Sequence, residues 1–272
     1  MMRLLRLRTA LAACAVAAAG TLTVGAGPAL AQDLPTVVLV HGAFADTTSW
    51  DAVAANLRGR GYEVVVPDNP LRGPAYDSAA VEKVLADIPG PVVLVGHSYG
   101  GAVITNVHSP NVEALVYVAA FAPAQGEPVM LNLDPIRFPG SQLLPPVLQV
   151  KVVDNDPTGI AGRNLDGYIN PADFHRVFAP DVSDATAAEM LAHQRSAALV
   201  ANLEPSGPPS WASTPSWAMV AQNDQVIPAA SERFMATRAG AQITEIPASH
   251  AVLVSQPAAV ADLVVQADQA TP

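Results

Sequence analysis

Short runs of apolar and β-branched residues recur along the chain, and amphipathic segments lie between them. Thr36–Val40 is the first run, and it precedes a segment from Ser49 to Arg60 in which Trp50, Val53 and Leu57 share one helical face. Runs that are apolar throughout are typical of strands buried on both faces of a sheet. The alternation therefore predicts an α/β fold, with a mostly parallel central sheet and helices on both of its faces.

The same pattern predicts the other elements of this sheet and of its helical layers. We predict further strands at Glu63–Val66, Val92–Val95, Ala114–Val118, Ser216–Ala221 and Gln242–Ile246. We predict further helices at Ser78–Ile88, Gly100–Val107 and Ala229–Ala239. A closing helix is expected after these, with Ser255 as its cap and Pro257 in its first turn.

A proline-rich, irregular segment interrupts the alternation at about residues 122–211. It contains the stretches FPGSQLLPPVLQ and EPSGPPSW. Two helices are predicted inside it, at about Ala172–Phe178 and at about Asp184–Ala198, the second capped by Ser183. We interpret this segment as a helical cap insertion over the sheet of one domain that comprises residues 32–272.

The first 31 residues have the features of an export signal. Arg3, Arg6 and Arg8 precede the apolar stretch Leu11–Val24, and a small-x-small sequence ends at Ala31. The apolar stretch is too short to span a bilayer. We therefore expect a secretory signal peptide that is cleaved near Ala31. The mature protein would be secreted, extracellular or periplasmic, without stable membrane association.

Composition and charge narrow the classes of partner and cofactor. Half of the 272 residues are hydrophobic, which suffices for one sizeable core. The only cysteine, Cys14, lies in the predicted signal peptide, so the mature chain has neither a disulfide nor a thiolate metal site. Without the three arginines of that peptide, 11 basic residues face 24 acidic ones, a formal charge of −13. This charge repels nucleic acid and favours a neutral or apolar small molecule as ligand.

The stretch VVLVGHSYGG, residues 92–101, ends a predicted strand with a serine between two glycines. Ser98 lies two residues from both Gly96 and Gly100, in the pattern G-x-S-x-G. At a strand–turn–helix junction this pattern holds the serine hydroxyl clear of the carboxyl end of the sheet. A serine in an ordinary glycine-rich turn is the alternative. The position of the pattern between a strand and a helix favours Ser98 as a nucleophile.

A nucleophilic serine needs a base to remove its proton, and the base needs an acid to orient it. His250 directly follows the last predicted strand, and Asp224 follows the strand Ser216–Ala221. Loops after parallel strands meet at the carboxyl edge of the sheet. Glu127 is the alternative acid. The order Ser98, Asp224, His250 is the chain order known for G-x-S-x-G serines with such a triad.

Acyl transfer also needs hydrogen-bond donors for a developing oxyanion. The backbone N–H of Tyr99 is one expected donor, and the loop after the first strand supplies the other, from Ala43 or alternatively Phe44. His41 and His97 lie in the two turns, where backbone or packing roles are expected. Apolar candidates for the substrate pocket are Phe44, Leu143, Leu144, Val147, Leu148, Phe174 and Phe178. The alternative role of the six cap residues among them is to pack the cap onto the core.

These motifs together resemble the α/β-hydrolase superfamily: HGAF after the first strand, GHSYGG, ND-x-x-IP after a late strand, and SH near the end. The sequence is most similar to small bacterial secreted esterase-like serine hydrolases, and more distantly to the plant methylesterase and hydroxynitrile lyase group. The resemblance implies the α/β-hydrolase fold, a serine triad and a helical cap. A triad of this kind works without a metal or organic cofactor.

We therefore expect a carboxylic ester hydrolase that cleaves small or medium apolar esters through an acyl-enzyme. The alternative is a non-hydrolytic protein of this fold, either a small-molecule binding protein or a hydroxynitrile-lyase-like enzyme. Plant hydroxynitrile lyases carry a lysine directly after the catalytic histidine, whereas Ala251 follows His250 here, and Lys83 and Lys151 are the only lysines. Perhydrolase activity, the natural substrate and the oligomeric state stay open.

Overall fold

A computed structural model describes residues 34–271 of the chain. The predicted signal peptide with Cys14 lies outside the described residues, so its assignment stays a prediction. Within residues 34–271, no helix combines the length and the apolar character that crossing a membrane requires.

The described residues form nine strands and eight α-helices. The strands are β1 (Thr36–Val40), β2 (Val64–Val65), β3 (Val92–His97), β4 (Val112–Val118), β5 (Leu148–Asp154), β6 (Arg163–Ile169), β7 (Ala197–Ala198), β8 (Ser216–Ala221) and β9 (Gln242–Ile246). The helices are α1 (Asp51–Gly59), α2 (Pro74–Ala86), α3 (Tyr99–Thr105), α4 (Pro171–Phe178), α5 (Asp184–Ala192), α6 (Ala229–Arg238), α7 (Val252–Ser255) and α8 (Pro257–Ala270). Short 3₁₀ helices lie at Thr47–Trp50, Val129–Leu133, Leu199–Asn202 and Ser210–Ala212.

Six strands form the central sheet in the order β2-β1-β3-β4-β8-β9, and every neighbouring pair is parallel. Alternate residues of β1 enter two different apolar clusters, with Val38 and Val40 in one and Val37 and Leu39 in the other. Each face of the sheet is therefore covered, as the apolar strands predicted. The expected α/β-hydrolase architecture is confirmed, and strands β1, β8 and β9 have the predicted ends.

The closing helix is not capped in the predicted way. Ser255 lies in the short helix α7, and its hydroxyl donates a hydrogen bond to Asp181 Oδ2 at 2.9 Å. Helix α8 begins at Pro257 after Gln256, which makes no side-chain capping bond. The prediction of Ser255 as the cap was therefore wrong, while Pro257 does lie in the first turn.

The segment between β4 and β8 contains an antiparallel sheet that we did not predict. Strands β5, β6 and β7 form this three-stranded sheet, and helices α4 and α5 lie between β6 and β7 in the chain. Helix α5 ends at Ala192, well before the predicted Ala198, because Ala197 and Ala198 pair with β6. Ser183 caps α5 as predicted, since its Oγ accepts the N–H of Thr186 at 3.1 Å.

A buried ion-pair network joins this cap to the central domain. Arg72, between β2 and α2, donates to Asp156 Oδ2 at 2.5 Å and to Asp166 Oδ2 at 2.6 Å. The side chains of both aspartates are 2% exposed. The backbone N–H of Arg72 also bonds to Asp77 of α2 at 3.0 Å. One arginine therefore connects α2 of the core with the cap sheet.

Candidate active site

Ser98 occupies a sharp turn between β3 and α3. Its φ of 53° and ψ of −124° lie in a region that side-chain-bearing residues rarely adopt. The turn is crowded, because a Cβ atom at Gly96 would lie 2.6 Å from the carbonyl oxygen of Gly100. Glycine at position 96 is therefore required for the close approach, as the G-x-S-x-G pattern indicated.

Ser98, His250 and Asp224 form one hydrogen-bonded chain. His250 Nε2 lies 2.9 Å from Ser98 Oγ, and His250 Nδ1 lies 2.5 Å from Asp224 Oδ2. A carboxylate only accepts hydrogen bonds, so Nδ1 carries the proton and Nε2 is free to accept the serine hydroxyl. The side chains of His250 and Asp224 are fully buried. The structure thus brings together the three residues that the sequence predicted as a triad.

The loop after β8 fixes the Asp224 carboxylate. Asp224 Oδ1 accepts the backbone N–H groups of Val226 at 2.6 Å and Ile227 at 2.8 Å, which leaves Oδ2 for His250. The alternative acid, Glu127, pairs instead with Arg238 at 2.6 Å. Asp224 is therefore the carboxylate that the fold places at the histidine.

The loop of His250 is held from the core and from the cap. His97 Nε2 donates to the backbone carbonyl of His250 at 2.9 Å, and burial lowers the pKa of His97 well below its ordinary value. On the cap side, Asp181 accepts the backbone N–H of Ser249 at 2.8 Å. The ring of Phe178 contacts the His250 imidazole edge to face, with centroids 4.9 Å apart. The imidazole therefore has little freedom to turn.

Two predicted pocket residues serve in this packing. Phe174 and Phe178 are each 1% exposed and stack on one another at 5.0 Å. They are absent from the lining of the cavity at Ser98, and they border a separate cleft of about 240 Å³ together with Asp46 and His193. These contacts favour the alternative role, in which the large apolar surface of each ring packs α4 onto the core.

The loop after β1 lies against Ser98. A Cβ atom at Gly42 would lie 2.6 Å from Ser98 Cβ, so glycine permits this approach. His41 Nε2 accepts the backbone N–H of Asn69 at 3.0 Å, and its Nδ1–H therefore donates to the Gly42 carbonyl at 3.0 Å. His41 thus has the backbone role expected of it. Within residues 34–271, the N–H groups of Ala43 and Phe44 donate no hydrogen bond.

A cavity of about 530 Å³ opens beside Ser98 and is lined mainly by apolar side chains. The predicted Phe44, Leu143, Leu144 and Leu148 line it together with Ala43 and Tyr99, whereas the predicted Val147 does not. Sequence reasoning missed the contributions of Met130, Leu131, Leu133, Leu199 and Leu203. Met130, Leu131 and Leu133 lie in the 3₁₀ helix Val129–Leu133, Leu199 begins the 3₁₀ helix Leu199–Asn202, and Leu203 follows it. The short apolar clusters of these helices, such as VMLNL, were the sequence signal that could have indicated these residues.

Tyr99 borders the cavity, and its hydroxyl is tied to the core. Its hydroxyl donates to Asp77 Oδ2 at 2.8 Å, and Asp77 also accepts the N–H of Arg72. Burial raises the pKa of Asp77 above its ordinary value. The first turn of α3 is therefore anchored to α2 through this bond.

A family model described as "Alpha/beta hydrolase family" matches residues 37–263 of the chain. The chain belongs to the alpha/beta hydrolase family. The membership that the HGAF and GHSYGG motifs predicted is thereby confirmed.

Two curated relatives match parts of this alpha/beta hydrolase. A carbendazim hydrolyzing esterase of Nocardioides sp. is 36% identical over 111 residues, which are 35% of this chain and 46% of that protein. A pyrethroid hydrolase of Sphingobium wenxiniae is 33% identical over 104 residues, which are 33% of this chain and 37% of that protein. The matches therefore span less than half the length of either relative.

Solved structures share the fold over most of the chain. The crystal structure of polyneuridine aldehyde esterase has a TM-score of 0.72 and 19% identity, and the alignment covers 86% of this chain and 98% of that one. A pyrethroid hydrolase from Sphingobium faniae has a TM-score of 0.66 and 24% identity, with coverages of 87% and 98%. This likeness shows a common fold.

Proposed function

We propose that this alpha/beta hydrolase cleaves carboxylic esters through an acyl-enzyme on Ser98. The observation that carries the proposal is the buried chain Ser98–His250–Asp224 beside an apolar cavity. Two relatives whose printed names are a carbendazim hydrolyzing esterase and a pyrethroid hydrolase support hydrolysis as the reaction type.

In the acylation step, Ser98 Oγ attacks the ester carbonyl carbon while His250 Nε2 accepts the hydroxyl proton. The proton on Nδ1 stays bonded to Asp224, whose negative charge stabilises the imidazolium. Collapse of the tetrahedral intermediate breaks the bond to the alcohol oxygen, and His250 returns its proton to the leaving alcohol. Water then attacks the acyl-enzyme with the same histidine as base and regenerates Ser98.

The oxyanion is assigned to backbone donors at the two turns. Tyr99, directly after the nucleophile, begins α3, and its N–H is one donor. Ala43, or alternatively Phe44, is the proposed second donor, because both residues line the cavity and the N–H of each is unused within the described residues. Removing one such donor from a hydrolase costs about 100- to 1,000-fold in kcat.

The shape and lining of the cavity support small or medium apolar esters as substrates. A space of about 530 Å³ with few polar groups stabilises apolar acyl or alcohol parts by burial. A series of p-nitrophenyl esters of increasing chain length tests this: kcat/KM should rise from acetate to medium chains. A preference for acyl groups that carry a charge would contradict the proposed substrate class.

Labelling with a phosphonate ester reagent tests the nucleophile directly. We expect one covalent adduct, located by peptide mass analysis on the peptide that contains Ser98, and complete loss of labelling and of ester turnover in S98A. Ser141 provides the matched control, because it lines the same cavity while its hydroxyl donates to the Val226 carbonyl. Label on another residue, or full turnover by S98A, would overturn the assignment.

We also propose export of the protein, with cleavage of the signal peptide after Ala31. The arginine-rich start, the short apolar stretch and the small residues before the cleavage position support this location. N-terminal sequencing of protein recovered outside the cytoplasm should begin at Gln32. An intact N-terminus on cell-associated protein would contradict it.

A further inference from the structure

Glu232 is a buried carboxyl group that the proposed reaction does not use. It lies in the first turn of α6 and is 3% exposed. Its Oε2 accepts the backbone N–H of Ala221, the last residue of β8, at 3.1 Å. Its Oε1 is buried and makes no hydrogen bond within 3.5 Å to any residue that the structure describes. A buried carboxylate oxygen without a donor would be costly in free energy.

Ala221 links Glu232 to Asp224, because its N–H donates to Glu232 Oε2 at 3.1 Å and its carbonyl accepts the N–H of Asp224 at 3.2 Å. Burial, followed by the negative charge of Asp224, raises the pKa of Glu232 well above its ordinary value. The charged groups around Glu232 do not offset this rise in its pKa. Arg233, its neighbour on α6, is bonded to Glu245 of β9 at 2.6 and 2.8 Å. Two adjacent buried carboxylates are not both charged, so one of them holds a proton.

The hydrogen bonds decide which carboxyl is neutral and where its proton lies. Asp224 Oδ1 accepts two backbone N–H groups and Oδ2 accepts His250 Nδ1–H, three bonds that favour the charged form. From the residues that the structure describes, Glu232 accepts one hydrogen bond, at Oε2. The proton therefore belongs on Glu232, at the otherwise unbonded Oε1.

We propose that Glu232 is a positioning residue for Asp224: it stays a neutral carboxylic acid and directs its Oε1 hydroxyl toward the Asp224 carboxylate. This role in catalysis rests on the proposed function. A neutral donor orients the aspartate without cancelling the negative charge that stabilises the His250 imidazolium. A cation at the same place would weaken that stabilisation.

Proton-linked unfolding of the wild type and E232Q tests the protonation state. Above about pH 4.3, where glutamic acid ionises in an unfolded chain, the folded wild type holds a proton that its unfolded form has lost. Rising pH therefore destabilises the wild type relative to E232Q, by about tenfold in the unfolding equilibrium constant per pH unit until Glu232 ionises in the folded state. A ratio of the two constants that stays level between pH 5 and 8 would overturn the proposal.

Ester kinetics test the positioning role. In E232Q the amide oxygen accepts the Ala221 N–H and the amide nitrogen donates toward Asp224, so kcat should stay within about threefold of the wild type. E232L lacks the donor, and we expect kcat to fall roughly 10- to 100-fold at pH 7 with little change in KM. Equal losses in the two variants, or full kcat in E232L, would refute the role.

Met235 supplies the matched control. It lies in the same helix and is fully buried. M235A should lower the melting temperature as E232L does, while kcat and the slope of unfolding against pH remain those of the wild type. If the wild type turned over no ester, the proposed function would fail, whereas the unfolding experiment would still decide whether Glu232 is protonated.

Discussion

Replacement of Arg72 by methionine tests how the cap is attached to the central domain. Methionine keeps most of the length and apolar surface of the arginine stem but removes the bonds to Asp156 and Asp166. Both aspartates are then buried without their cation. Breaking a buried pair by removing one partner costs about 3–5 kcal/mol. Because the Arg72 side chain is itself 13% exposed and water can reach its place, we expect R72M to lower the free energy of unfolding by about 3 kcal/mol at pH 7.

The pH dependence of this loss follows from Asp156. Burial alone would raise its pKa, but hydrogen bonds from Thr158 and then Arg72 lower the pKa of Asp156 to about 2. A lowered pKa contributes stability that is present above the unfolded value of about 3.9 and is lost as the pH falls toward 2. The difference between R72M and the wild type should therefore shrink across this window.

Urea unfolding monitored by tryptophan fluorescence at pH 7, 5 and 3 measures this difference. R163M is the matched control, since Arg163 pairs with Asp154 on the same cap sheet but both side chains are about two-thirds exposed. That exposed pair should contribute less than about 1 kcal/mol to the free energy of unfolding. If R72M and R163M unfold at the same urea concentration, or if the effect of R72M is equally large at pH 3, the buried-network argument is refuted.

Two further substitutions address the site. D224N should reduce kcat for p-nitrophenyl esters by about 10⁴-fold, because the amide group can donate to His250 Nδ1 and so favour the wrong histidine tautomer. The circular dichroism spectrum should stay unchanged, and a loss of kcat under tenfold would contradict the role of Asp224. Leu144 lines the cavity and is 56% exposed, so L144D should raise KM for medium-chain esters more than for the acetate ester, while kcat for the acetate ester is retained. Equal changes for both esters would contradict the proposal that the apolar part of the ester binds in this cavity.

The central sheet was predictable because its strands are buried on both faces. In β1 and β8 nearly every side chain faces a helix layer, so the apolar run ends where the strand ends. The catalytic candidates were predictable for a related reason. Loops that follow parallel strands converge at one edge, so Ser98, Asp224 and His250 could be placed together although far apart along the chain.

The cap was harder to predict because its sheet is only partly buried. In β5, Gln149 and Lys151 alternate with Val150 and Val152, a period-two pattern that we did not weigh within a proline-rich segment. The long-range contacts of Arg72 and Glu232 left no signal in the sequence. The partners of Arg72 lie 84 and 94 residues away, and the burial of Glu232 behind Asp224 depends on how α6 packs on β8.

The contact of Phe178 with His250 has a consequence for redesign. The cap supplies one wall of the site of His250, the proposed general base, and Asp181, from the same segment, holds the adjacent Ser249 backbone. Exchanging the cap for that of another hydrolase, with the aim of admitting new substrates, would therefore also replace a support of the reacting imidazole. If the proposed function holds, a cap exchange made to change selectivity would therefore also lower turnover, and a graft that keeps residues 174–181 would avoid this loss.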